Sequence, residues 1–218
     1  MPPSKVAKPD PKLIEALFER FEADKPDPRT ELDFINPFTL VVAVALSAQT
    51  TDKAVNKATE PLFRLADNPQ AMLDLGEDRL MQMIGSIGLY RNKAKNVMAM
   101  CRILLDRYGG AVPLKRDDLL TLPGVGNKTA SVVLNELNIE PAIAVDTHVF
   151  RVAHRLGLVD AIANTPDKVE QQLMQVIPKR WLTRAHHWLI LHGRYVCVAR
   201  KPKCDICIVN QLCPRIGL

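Results

Sequence analysis

The chain has 218 residues, of which 47% are hydrophobic and 24% charged, with a net charge of +5. That is an ordinary globular composition, enough for one large domain or two small ones with a buried core. The longest apolar run, LVVAVAL at 40–46, is far below the roughly 20 residues that cross a bilayer, so it reads as a buried helix and not as a membrane span.

The N-terminus, MPPSKVAKPDPK, contains no apolar stretch of the kind a secretory signal needs and reads as a loose tail. Asp10 and Pro11 suit the N-cap and first position of a helix, whose apolar stripe is Ile14, Leu17, Phe18 and Phe21. Further helices are predicted near 38–48, 51–65 and 78–84. Another carries Tyr90, Val97, Cys101, Leu104, Leu105 and Tyr108 on one stripe and ends at Gly109 and Gly110. RDDLLTL, from Arg116, and KTASVVLNEL, from Lys128, read as two helices around LPGVG. More helices are expected at 147–156, 166–176 and 181–192. AIAVD at 142–146 alternates weakly and suits a short strand or a linker. The fold class is all-α. Proline-rich boundaries at 25–28 and near Pro141 divide the chain into a central helical domain, residues 30–140, and a second lobe built from 1–29 and 141–218.

Charge is unevenly distributed. From Lys179 to Leu218 the net charge is +7, and the rest of the chain is −2. A basic end on a near-neutral body suits a polyanionic partner, and suits a solvated basic face as well. Four cysteines fall in the same region, Cys197, Cys204, Cys207 and Cys213, spaced C-x6-C-x2-C-x5-C. Without export they stay reduced, and four thiols this close call for a metal. Structural zinc commonly uses two separated C-x2-C pairs, whereas here one close pair has long arms. Such arms favour a larger iron–sulfur cluster, with zinc left as the alternative. The loop between the first two ligands holds Arg200, Lys201 and Lys203 in one place, as phosphate contacts require. Cys101, alone on its stripe, reads as a small buried hydrophobe.

LPGVG is a helix–hairpin–helix turn. Pro123 presets one dihedral, and Gly124 and Gly126 flank Val125. Its exposed N–H groups and the positive end of the following helix form an anion site that grips DNA phosphate without reading bases. Lys128 lies in the first turn of that helix. The macrodipole there disfavours its charge and frees neutral amine, the nucleophilic form, whereas a nearby carboxylate would act in the opposite sense. Taken alone, Lys128 reads as a surface charge or phosphate contact. Asp146, in Val145-Asp146-Thr147-His148, precedes an apolar helical pattern and reads as an N-cap, a role compatible with catalysis because a capped carboxylate is held rigidly.

LPGVGNKTA, VDTH at 145–148 and the cysteine spacing together resemble the endonuclease III family of DNA glycosylases and abasic-site lyases. LSAQTTD at 46–52, IGLYRNKA at 87–94 and HHWLILHGRYVC at 186–197 extend the resemblance across nearly the whole chain. It implies a six-helix barrel with the helix–hairpin–helix at about 116–137, an iron–sulfur domain, and a DNA-binding cleft between the two. It also implies a [4Fe–4S] cluster on Cys197, Cys204, Cys207 and Cys213, with Lys128 and Asp146 catalytic. Gln49 would fill the gap left by a flipped base and Leu89 would wedge the opposite strand. Gly124, Val125, Gly126, His148, Arg200, Lys201 and Lys203 would contact DNA. Read without the family, Gln49 is a polar helix end and Leu89 a core leucine. Asn127 stands where the family commonly has arginine, which removes one cation near the phosphate.

The resemblance implies removal of oxidised pyrimidines from duplex DNA through a lysine Schiff base, followed by strand cleavage by β-elimination at the abasic site. A monomer in a bacterial cytoplasm, associated with the nucleoid and not with membrane, is expected. One rival is an adenine-removing relative, but those carry a glutamate in the helix before the glutamine, and 40–46 has no carboxylate. Another is a non-catalytic DNA-binding module with structural zinc.

Overall fold

The computed structural model describes residues 10–218, and these are helical without any strand. The tail expected over 1–12 therefore lies mostly outside the described residues. The chain divides into two compact units, one of residues 30–140 and the other of the segment up to Arg29 with Pro141–Leu218.

The 30–140 unit contains α2 (Pro37–Leu46), α3 (Asp52–Leu65), α4 (Pro69–Leu75), α5 (Glu77–Met83), α6 (Tyr90–Tyr108), α7 (Arg116–Leu119) and α8 (Asn127–Glu136). Its centre is α2, the apolar run of the sequence. A helix apolar on all sides must be surrounded, and α2 packs against α3, α6 and α8. Its residues from Phe38 to Val44, and Leu46, are buried. Cys101 is buried on α6 as a core residue, and Gly109, at φ 58, ends that helix.

In the other unit, α1 (Pro11–Asp24) packs with α9 (Thr147–Arg155), α10 (Pro166–Val176) and α11 (Leu182–Tyr195) around one apolar core. An aromatic group joins the two ends of the sequence. Phe18 stacks on Trp181 at 5.7 Å and Phe21 on Trp188 at 6.4 Å. Each indole N–H finds a partner on the N-terminal side. Trp181 donates to Glu22 at 3.0 Å and Trp188 to the Lys25 carbonyl at 2.8 Å. Buried aromatics supply large apolar area, and satisfied indoles avoid the cost of an orphaned donor.

The structure departs from the sequence reading in two places and decides a third that was left open. Helix α4 was not anticipated, since it is only seven residues long with just Pro69 and Met72 buried. Its signal was a cap: Asn68 accepts from the Ala71 N–H, and Pro69 follows it. RDDLLTL forms only the four-residue α7, because Thr121 and Leu122 already turn into the hairpin. Of the two readings open for AIAVD, the structure takes the linker.

Helices α9 and α11 cross at Gly193. A Cβ there would lie 2.8 Å from His148 Cβ and 3.2 Å from its carbonyl oxygen. Neither atom is the far end of a flexible side chain, so the helices would have to part. Gly193→Ala is expected to lower the unfolding free energy by about 1–3 kcal/mol, as overpacked sites do. Thermal or urea denaturation beside the unsubstituted protein checks this.

Candidate active site

In the 30–140 unit, the hairpin is built as its residue types require. Gly124 sits at φ +83, a conformation that costs other residues about 1–2 kcal/mol, and its missing Cβ would meet Asn96 Cβ at 3.3 Å. Val125 is buried and anchors the turn through its N–H to the Leu122 carbonyl at 3.0 Å. Gly126 begins α8 with no side-chain cap. The positive end of the helix therefore lies beside an exposed glycine turn, an arrangement suited to a phosphate oxygen. Asn127 and Lys128 are exposed in the first turn of α8.

Three non-glycine residues of this unit have left-handed backbones, Gln49, Leu89 and Asn138; asparagine adopts that conformation readily, glutamine and leucine do not. Gln49 has φ 56 and Leu89 has φ 59, both left-handed, and both residues are exposed. Leu89 is 62% exposed, so it is not the core leucine that its residue type alone suggests. A strained apolar side chain presented to solvent gains nothing from burial, and such outliers concentrate at binding and catalytic sites.

The other unit holds Asp146. Its Oδ1 accepts the His148 and Val149 N–H groups, each at 2.8 Å, and so caps α9. The cap uses one carboxylate oxygen for both bonds and fixes the direction of the other. His148 Nδ1 lies 3.2 Å from an Arg151 amino group, which also donates to the Gly193 carbonyl at 2.8 Å.

Arginines of α9 run from this cap to the cysteines. Arg151 donates to the Cys197 carbonyl at 3.0 Å, and Arg155 to the Val198 and Ala199 carbonyls at 2.8 and 3.1 Å. Arg155 also lies 3.5 Å from Cys197 Sγ. Their i, i+4 spacing puts both on one helix face; the sequence reading missed them because their partners are backbone carbonyls over 40 residues away. These bonds hold the start of the loop that presents Arg200, Lys201 and Lys203, all exposed.

The four cysteines suit an iron–sulfur cluster. All are free thiols, and Cys213 Sγ accepts the Arg215 N–H at 3.4 Å. Burial pushes the thiols of Cys207 and Cys213 up, and the neighbouring cysteines add to this in each case. Thiolates packed together in a partly buried place need positive charge among them, which iron supplies. His192, whose Nε2 is 3.7 Å from Cys207 Sγ, is pushed down to about 4 by burial and is neutral at neutral pH.

Comparison with known proteins agrees with this arrangement. Residues 42–179 match the family model described as HhH-GPD superfamily base excision DNA repair protein. Residues 197–213 match the iron–sulfur binding domain of endonuclease III. The chain is 55% identical over 201 residues to endonuclease III of Rickettsia felis, covering 92% of this chain and 93% of that protein. It is 50% identical over 197 residues to endonuclease III of Escherichia coli K12, covering 90% and 92%. A solved non-covalent endonuclease III–DNA complex superimposes with TM-score 0.86 at 44% identity, covering 94% of this chain and 96% of that one. A trapped endonuclease III–DNA covalent intermediate gives TM-score 0.85 at the same identity and coverage.

Cys207→Ser is expected to remove the broad visible absorption of the purified protein and most of its iron. Iron assay and absorption spectra of both proteins check this. A colourless unsubstituted protein carrying one zinc would contradict the cluster.

Proposed function

The chain belongs to the endonuclease III family and is a base-excision repair DNA glycosylase with abasic-site lyase activity; we propose that it removes oxidised pyrimidines from duplex DNA, with Lys128 and Asp146 as its catalytic residues. The observation that carries the assignment is Lys128 itself, an exposed lysine in the first turn of an uncapped helix directly after a glycine hairpin. The hairpin suits a DNA phosphate, and the next turn carries an amine.

Binding rests mainly on phosphates, through Gly124, Val125, Gly126 and the start of α8, with Arg200, Lys201, Lys203 and His148 adding contacts. Extruding the lesion costs a few kcal/mol, less for a damaged base. Gln49 takes the space left in the stack and Leu89 wedges the opposite strand. Their left-handed backbones and exposure support this reading.

The lone pair of Lys128 Nζ attacks C1′ of the flipped nucleotide. The bond from C1′ to the base breaks, and the base leaves with the electron pair. Asp146 accepts the proton released from the lysine or stabilises positive charge on the sugar. Opening of the sugar ring gives a Schiff base between Lys128 and C1′. The iminium withdraws electrons, so a C2′ proton is lost and the C3′–O bond breaks, which cuts the strand 3′ to the lesion. Water then releases Lys128. The two residues come from different units of the chain, and both are proposed to act on one deoxyribose when DNA is bound.

Cys197, Cys204, Cys207 and Cys213 would hold the [4Fe–4S] cluster, which would supply cross-links that shape the end of the chain. Glycosyl transfer and β-elimination are redox-neutral, so neither step consumes an electron. The adenine-removing alternative lacks support, because neither α2 nor Ser47 and Ala48, the residues between it and Gln49, supplies a carboxylate. A single chain supplies every proposed group, so a monomer suffices. The bacterial relatives support a place at the bacterial chromosome.

Lys128→Ala is expected to bring strand cleavage of duplex DNA containing thymine glycol or an abasic site to background while leaving the fold intact. Asp146→Asn keeps an oxygen to cap α9, so stability is retained while excision falls by about 10²–10⁴-fold. Asp146→Ala loses the cap too and costs about 1 kcal/mol more in stability. Single-turnover kinetics and denaturation curves of the three variants check this. Full activity in Lys128→Ala would remove the assignment.

A further inference from the structure

One buried charge has no part in the chemistry above. Lys93, on the first turns of α6, is 8% exposed. Its Nζ donates to the Leu46 carbonyl at 2.9 Å, the Ala48 carbonyl at 2.7 Å and Thr50 Oγ1 at 3.0 Å. An ammonium has three donors, and all three are used on one short stretch, the end of α2 and the turn that follows. That turn contains Gln49. The negative end of α2 has no basic residue of its own in its last turn, and Lys93 supplies one from another helix.

The backbone of Lys93 holds the second strained residue. Its N–H donates to the Leu89 carbonyl at 3.1 Å, the first hydrogen bond of α6. One residue thus ties the turn carrying Gln49 through its side chain and ties Leu89 through its main chain. We propose that Lys93 is a positioning residue for base extrusion, locking Gln49 and Leu89 into a single frame so that gap filling and strand wedging occur together. This rests on the reading of Gln49 and Leu89 as the residues that enter the stack.

The chemistry of the contacts supports the assignment. Burial holds the Lys93 amine below the ordinary lysine range, a cost that its three acceptors offset. Its removal would leave the Leu46 and Ala48 carbonyls without the donor that fixes the turn, so Gln49 would be free to leave its left-handed conformation. All three Lys93 donors are spent on Leu46, Ala48 and Thr50, so its effect falls on extrusion of a nucleotide from a duplex and not on Schiff-base chemistry.

Two substrates separate these steps. Single-turnover excision of thymine glycol from a duplex requires the stack to be opened and filled. Cleavage of a single-stranded abasic oligonucleotide requires neither. Lys93→Met is expected to slow the duplex reaction by about 10- to 10²-fold, the scale of an ångström-size misplacement, and to slow the single-strand reaction far less. In a Gln49→Ala background the Lys93→Met factor should largely vanish, because both changes then remove the same interaction. Thr50→Val removes one of the three acceptors without touching the lysine, and should give a smaller loss with the same substrate split even if Lys93→Met folds poorly. Equal losses on both substrates, or a Lys93→Met factor that persists undiminished in the Gln49→Ala background, would overturn the positioning role. A Gln49→Ala protein as fast as the unsubstituted one on duplex DNA would instead overturn the underlying gap-filling assignment, and the positioning role with it.

Discussion

The close crossing of α9 and α11 at Gly193 is the constraint on which the Asp146 unit depends. With a Cβ excluded, the start of α9 lies directly on α11. Asp146 caps that start, and its carboxylate direction is set by where the helix begins. From the same helix, Arg151 and Arg155 reach Cys197 and the first residues of the basic loop. A proposed catalytic carboxylate, a proposed cluster ligand and a loop proposed to bind phosphate therefore share one rigid element. A cluster held by the four cysteines as proposed would have a use without a redox step, because its bonds would complete the anchoring of a loop that α9 already holds at one end.

The 30–140 unit uses a different device. Its central helix α2 is buried on all sides and gives the turn after it a fixed base. The turn and the residue before α6 then hold two exposed side chains in left-handed backbones. Strain of this kind persists only where the surroundings over-determine it. A buried α2 on one side and the three Lys93 hydrogen bonds on the other provide that determination. The hairpin before α8 adds a third element in the same unit, where glycine makes the backbone conformation inexpensive.

Much of this was legible in the sequence, and for identifiable reasons. Long helices announce themselves by period and caps, so Ile14, Leu17, Phe18 and Phe21 marked α1, and Asp10 and Pro11 marked its start. The run 40–46 could only be a surrounded helix. The hairpin, the carboxylate cap and the cysteine spacing are local patterns that survive without tertiary information. What was not legible depends on distant partners. Leu89 as a residue type says core, and only its backbone and exposure say otherwise. Arg151, Arg155 and Lys93 bond to backbone carbonyls 42 to 47 residues away, and backbone acceptors leave no mark in sequence. Helix α4 was too short for its period to show, although Asn68 followed by Pro69 repeats the start of α1.

The central claim is that Lys128 becomes covalently joined to the deoxyribose. Borohydride reduction of the protein with thymine-glycol duplex, followed by nuclease and protease digestion, makes the attachment point readable by peptide mass spectrometry. The reduced sugar remnant is expected on Lys128 in a single peptide. An adduct on another lysine or on the N-terminal amine, or no adduct from protein that cleaves the DNA, would contradict it.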